Sequence, residues 1–167
     1  MIRLLFMDID GTLTDGKIYI GNTGELIKVF SVKDGYAISQ ILPQHNIIPV
    51  IITGRKSEIV NNRCQELGIE QVYQNVRNKK EKMISVAKVH GISANEAGIF
   101  PHTAYIGDDI PDLECMLIAE RKGCPADAAE KIKEVSDFVS AKNGGDGAVR
   151  EFIEWLMHDQ ERMPAFE

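Results

Sequence analysis

The sequence predicts an α/β fold, a Rossmann-like three-layer sandwich whose mostly parallel sheet carries helices on both faces. Three observations carry this expectation. Short β-prone apolar runs alternate with stretches of helical spacing along the chain. The first run, Ile2-Arg3-Leu4-Leu5-Phe6-Met7, reads as a strand buried on both faces. Finally, 167 residues with 44% hydrophobic content and no linker, repeat or low-complexity tract suit one domain over 1–167.

Taken in order, the first strand runs straight into Asp8-Ile9-Asp10-Gly11-Thr12, and its apolar start is too short for a signal peptide. Ile18-Tyr19-Ile20 and Leu26 to Phe30 flank the turn signal Gly21-Asn22-Thr23-Gly24, predicting a hairpin flap over about 17–30. Asp34 is placed to N-cap a helix over about 35–44, with Pro43 near its end. Ile47 to Thr53 predicts a second buried strand, its start weakened by Pro49. Ser57 is placed to cap a helix that reaches Leu67 and stops at Gly68. A short strand near Val72-Tyr73 and a helix from Lys79 to His90, closed by Gly91, come next. Ser93-Ala94-Asn95-Glu96 has the form of a capping box. Thr103 to Ile106 predicts a strand feeding Gly107-Asp108-Asp109, followed by a helix from Asp112 to Ala119. Gly123-Cys124-Pro125 reads as a strand end and Ala148 to His158 as an amphipathic helix, with Phe152 and Trp155 in the core. Met163 to Glu167 reads as a loose tail.

Composition narrows the function. A net charge of −6 argues against nucleic acid, which demands a basic surface, but leaves room for a small phosphorylated substrate met locally by a cation. No apolar run has the length of a membrane span. Cys64, Cys115 and Cys124 are odd in number and lack C-x-x-C spacing, which disfavours a disulfide framework or zinc site and points to a reducing cytoplasm. The four histidines are scattered and read as surface or packing residues.

Three polar clusters fall at the C-terminal ends of predicted strands: Asp8 to Thr12, Thr53-Gly54-Arg55, and Gly107-Asp108-Asp109. An open α/β sheet binds ligands at that edge, so the fold would deliver all three to one place. Packed carboxylates resist ionisation unless a cation sits among them, and oxygen donors without His or Cys favour magnesium. Gly11 would let the backbone, with its loop amides, approach a phosphate. Thr53 can donate to a phosphoryl oxygen, Gly54 leaves room for it, and Lys79 supplies a cation, which together suit phosphoryl transfer. Singly, each cluster has an ordinary reading as a turn or helix start, and the Asn78-Lys79-Lys80-Glu81-Lys82 run as a solvated one. Their joint occurrence in this order is what carries the argument.

Asp8-Ile9-Asp10-Gly11-Thr12, Thr53, Lys79 and Gly107-Asp108-Asp109 with Asp112 together resemble the four motifs of the haloacid dehalogenase superfamily, over nearly the whole chain. The resemblance implies a magnesium-dependent phosphatase. Asp8 would attack phosphorus and form an aspartyl-phosphate, and Asp10 would protonate the leaving alcohol and then activate water. Thr53 and Lys79 would hold the phosphoryl group. Asp8, the Asp10 backbone carbonyl and Asp108 would bind the metal, with Asp109 and Asp112 supporting the metal shell or Lys79. Lys79, preceded by Asn78, fits the third motif better than Lys80 or Lys82.

The intervals between motifs are too short for a large cap domain. Leu13-Thr14-Asp15-Gly16, Val32-Lys33-Asp34-Gly35, Thr53 to Ser57 and Gly144 to Glu151 are similar to the capless sugar-acid phosphatases of that superfamily. That resemblance implies a homotetramer in which each hairpin roofs a neighbour's site, making Ile18, Tyr19, Ile27 and Val29 interface candidates. The plainer alternative folds the hairpin onto its own sheet. It also implies a 3-deoxy-2-keto sugar-acid phosphate as substrate. Arg55 suits a sugar-acid carboxylate, and its resemblance to the eight-carbon enzymes, which carry Arg there, implies the octulosonate of lipopolysaccharide biosynthesis. Gly123 to Ala128 looks more like the nine-carbon, sialic-acid-type group, so both substrates stand. Two other classes compete. A signalling receiver module uses similar residues in a different order. A non-catalytic partner of a CMP-sugar synthetase would have to keep every motif residue without using it. A phosphomutase is disfavoured by the missing cap.

Overall fold

The computed structural model describes residues 1–162, so the expected loose tail, Met163 to Glu167, lies outside them. The chain opens with β1 (Leu4–Met7) and a two-stranded antiparallel hairpin, β2 (Tyr19–Gly21) and β3 (Gly24–Ile27). Then come α1 (Val32–Tyr36), a π-helical stretch (Ala37–Ile41), α2 (Leu42–Gln44), β4 (Ile48–Ile52), α3 (Glu58–Glu66), β5 (Gln71–Tyr73) and α4 (Lys79–Val89). The second half holds β6 (Phe100–Ile106), α5 (Ile110–Met116), β7 (Ala119–Cys124), α6 (Glu130–Val135), β8 (Phe138–Val139) and α7 (Ala148–Arg162). Six strands form one parallel sheet in the order β5-β4-β1-β6-β7-β8.

β1 is central, and all four of its residues are buried. Leu5 and Met7 pack with Ile38, Val60, Cys64, Phe152 and Leu156, while Leu4 and Phe6 pack on the other face with Met83, Val86, Met116 and Ile132. The period-2 alternation of a strand therefore places α1, α3 and α7 on one side and α4, α5 and α6 on the other. This is the layered sheet that the alternating pattern predicts.

Several local expectations are corrected. Asp34 does not cap its own helix, because Ser31 does so by accepting from the Lys33 amide. The buried Asp34 carboxylate instead accepts from the amides of Gly147 (3.3 Å) and Arg150 (2.8 Å) around the start of α7, a tertiary cap. Burial pushes the Asp34 carboxyl above its usual value, against the pull of those amides. Pro43 lies within α2, and the chain widens into the π stretch just before it, where the Leu42 amide reaches back to the Ala37 carbonyl. Ser57 holds the N-cap position of α3 but makes no side-chain cap; its hydroxyl bonds Glu25 of the hairpin instead. Ser93 to Glu96 starts no helix, because Asn95 turns back to accept from the Ala97 and Ile99 amides at 3.0 Å each. α5 begins two residues earlier than expected, capped by Asp109, and Ala119 belongs to β7. The short elements α6 and β8 are additional to those predicted.

Candidate active site

β1, β4 and β6 lie side by side and point the same way, so the loops after them converge. Asp8 follows β1, its amide bonded to the Ile106 carbonyl at the end of β6 (3.2 Å). Thr53 to Arg55 follow β4, and Asp108 and Asp109 follow β6. Asp8, Asp10, Thr53, Gly54, Arg55, Lys79, Asp108, Asp109 and Asp112 all line one open cleft of about 300 Å³. The structure thus brings these nine candidate site residues together.

The loop after β1 is shaped by its own hydrogen bonds. The Ile9 carbonyl gathers the amides of Thr12 (3.2 Å), Leu13 and Thr14 (3.0 Å each), and the Gly11 amide donates to the Thr14 hydroxyl (3.4 Å). The amides of residues 11 to 14 are therefore committed within the loop. Gly11 also makes room for a neighbouring carboxylate. It has φ +95°, and a Cβ there would overlap the Asp108 carboxylate, so glycine makes room for the acid. The Thr12 hydroxyl then donates to Asp108 Oδ1 (3.1 Å).

Lys79 opens α4 behind the cap of Asn78, which accepts from the Glu81 amide. Although it sits in a charged run, it is 7% exposed. Its Nζ lies 2.8 Å from Asp8 Oδ1 and 2.8 Å from Asp112 Oδ1. Lys80 pairs with Glu114 and Lys82 lies over the Tyr73 ring, so Lys79 is the lysine that reaches the acids. Burial opposes its charge, but Asp8 and Asp112 outweigh that and hold the ammonium above its ordinary value.

Asp112 is saturated. Its Oδ1 accepts from Lys79 and the Tyr105 hydroxyl (2.8 Å each), and its Oδ2 from the amides of Asp108 (3.1 Å) and Asp109 (3.4 Å). It therefore orients its neighbours. Asp8 and Asp108 are different. Burial first, then the neighbouring carboxylates, push each up to about 7, and Lys79 only partly offsets this for Asp8. Asp8, Asp108 and Asp112 can each present an oxygen within 4.8 Å of the others. With Asp112 occupied, the donors that fit a hard divalent cation are Asp8 and Asp108, both short of positive charge.

Asp10 points away from this cluster. Its Oδ1 contacts Lys28 Nζ from the end of the hairpin, and its Oδ2 lies 3.9 Å from Arg55 Nε. Lys28 also pairs with Glu25 (2.9 Å). Sequence reasoning missed both hairpin residues.

The 3-deoxy-D-manno-octulosonate 8-phosphate phosphatase KdsC of Salmonella typhi is 40% identical over 162 residues, covering 97% of this chain and 82% of that protein. The chain belongs to the KdsC phosphatase family. Solved members of this haloacid dehalogenase branch share the fold. The Moraxella catarrhalis enzyme, determined with magnesium, phosphate and KDO, superposes with a TM-score of 0.87 at 39% identity, over 99% of this chain and 91% of that one. The cobalt-bound Haemophilus influenzae enzyme gives 0.87 at 32% identity, over 99% and 93%. No protein-family model matches the chain. The KdsC family members are phosphatases, and the family relationship rules out the receiver reading.

Proposed function

We propose that the chain is a magnesium-dependent phosphatase that hydrolyses 3-deoxy-D-manno-octulosonate 8-phosphate through a phosphorylated Asp8. The observation that carries this reading is the buried Asp8–Lys79–Asp112 array with Asp108 beside it, an acid cluster left short of one cation. Asp8, the Asp10 carbonyl and Asp108 would hold magnesium, which when bound offsets the charge of the carboxylates and phosphate.

The chain's own residues account for the rest. Lys79 fixes Asp8 Oδ1 and neutralises phosphoryl oxygens beside it, with Thr53 as a hydrogen-bond donor and Gly54 giving clearance. An Asp8 oxygen bonds to phosphorus as the ester P–O bond breaks, and Asp10 gives its proton to the departing sugar oxygen. Water then attacks the same phosphorus, Asp10 takes the proton, and the Asp8–phosphorus bond breaks to release phosphate. Asp112, with Asp109 capping α5, holds this geometry. Arg55, about half exposed in the cleft lining, would meet the sugar-acid carboxylate.

Residues 1–167 act in this reading as one phosphatase domain without a cap. The hairpin exposes Ile20, Leu26, Ile27 and Val29, which supports its role as a roof between subunits of a homotetramer. The three cysteines are buried and free, which supports a reducing cytoplasm, and no helix among the described residues is long and apolar enough to cross a membrane. The octulosonate product would supply lipopolysaccharide biosynthesis.

The test is phosphate release from the eight- and nine-carbon 3-deoxy-2-keto sugar-acid phosphates, hexose phosphates and phosphoserine, with magnesium or with chelator. Preference for the eight-carbon ester, abolished by chelator, is expected. Preference for the nine-carbon ester would move the protein to sialic-acid-type sugars, and no turnover on any ester would leave the non-catalytic partner module.

Stability gives a second check on the metal. Asp8 and Asp108 are raised from an ordinary 3.8 to about 7, so the folded state resists their ionisation. Their contribution is therefore most favourable when they are protonated and is lost as pH rises from about 4 through about 7. In chelator, the melting temperature should rise as pH falls from about 8 to about 6, and magnesium should stabilise more at the higher pH. Magnesium stabilisation that does not change with pH would contradict this charge balance.

A further inference from the structure

We infer that Lys28 is a positioning residue that holds Asp10 for proton transfer, and that Glu25 and Ser57 hold Lys28 in turn. The inference rests on the acid–base role proposed above for Asp10. Lys28 leaves the hairpin just after β3, among neighbours that are largely exposed; Ile20 is 68% and Val29 53% exposed. Its own side chain is 2% exposed. A lysine at the base of a flap could extend into water at little cost, and burial works against its charge. Two carboxylates reverse that balance and hold the ammonium above its ordinary value: Asp10 through Oδ1, and Glu25 through Oε1 at 2.9 Å.

Glu25 is itself anchored. Its other oxygen accepts the Ser57 hydroxyl, and the Ser57 amide donates to Gln74 Oε1 (2.7 Å), just beyond β5. Against partial burial, Ser57 and Lys28 hold the Glu25 carboxyl below its usual value. The line Gln74–Ser57–Glu25–Lys28–Asp10 thus ties the acid–base carboxylate to the rigid edge of the sheet by way of the flap. Arg55 Nη2 lies 4.0 Å from Glu25 Oε1, so two cations and two carboxylates share the corner without excess charge.

The consequence is directional. Asp10 sits in a loop, and general acid catalysis demands an oxygen within hydrogen-bond reach of the ester oxygen. Lys28 engages Oδ1, which leaves Oδ2 on the Arg55 side of the cleft to carry the proton. Glu25 shares the ammonium, so the charge of Lys28 is not carried by Asp10 alone while Lys28 orients it. A lysine that only fastened the flap would not need the acid–base residue as its partner.

The test compares two phosphate esters on the full chain with magnesium. The sugar-acid phosphate has an alkoxide leaving group that needs the Asp10 proton; p-nitrophenyl phosphate has a phenolate that leaves without one. Lys28→Met should lower kcat/KM for the sugar ester about 100-fold, with a far smaller loss on the nitrophenyl ester, and Lys28→Arg should recover most of the difference. Equal losses on both esters, or none, would overturn the inference and leave Lys28 as a flap tether. Should Lys28→Met fail to fold, Glu25→Gln keeps the ammonium and should show the same selective loss at about tenfold; an unselective loss there is equally decisive against it. Wild-type protein that releases phosphate from neither ester would instead bring down the phosphatase reading itself, and this inference with it.

Discussion

Asp8→Asn is expected to lower phosphate release by about 10⁴-fold or more, because an amide oxygen is too poor a nucleophile to take up phosphorus. The fold should survive. Asp8 lies just beyond β1, whose pairing with β4 and β6 is made by backbone groups, and asparagine retains an acceptor for Lys79. The metal-free variant should melt no lower than wild type, since it carries one fewer acid in a cluster whose carboxyls are raised to about 7. Phosphate release with a thermal melt in chelator checks both halves. A variant that retained turnover would remove Asp8 from the reaction, and one that unfolded would give it a structural part that the geometry does not predict.

Lys79→Met is expected to cost both activity and stability. The ammonium is the one basic group within 4 Å of both Asp8 and Asp112, among the described residues. Removing it leaves Asp112 with its two amides and Tyr105 but no cation, and leaves Asp8 more strained still. Losing one partner of such a buried array costs about 3–5 kcal/mol. Turnover should fall by about 10³-fold, because the phosphoryl oxygens lose a fixed cation. Urea denaturation and phosphate release read the two effects separately. Loss of activity at unchanged stability would mean that the Lys79 pairs contribute little to folding.

The two variants differ in how visible their sites are in sequence. Asp8, Thr53 and Asp108 are legible because they end strands whose apolar runs are unmistakable, and parallel sheets gather strand ends. Lys79 is legible only as part of a set, since a charged run at a helix start gives no hint that its first member turns inward. Lys28 and Glu25 were illegible for a definite reason. Strict alternation along a strand puts residues three apart on opposite faces, yet these two side chains meet. The chain leaves β3 at Ile27, before Lys28, and the hairpin register shifts at Tyr19/Ile20, which breaks the period. Asp34 shows the opposite error. Its position suits a local cap, but the amides it meets belong to residues more than 110 positions away, and local propensity carries no information about them.

The loop that carries Asp8 and Asp10 leans on residues distant in sequence. The Gly145 amide donates to the Thr12 carbonyl (3.1 Å), and a Cβ on Gly144 would strike the Gly11 carbonyl, so backbone rests on backbone. Strand β1 needs β4 on one side and β6 on the other, which ends at Ile106. During synthesis Asp8 is made long before Gly144 and Gly145, which complete its surroundings. Such long-range closure slows folding, and it leaves the Asp8 loop without that support until Gly144 and Gly145 arrive. Completion of the Asp8 loop therefore waits on residues distant in sequence, and a ribosome-bound fragment that stops short of residue 144 should carry Asp8 without the backbone support that shapes its loop.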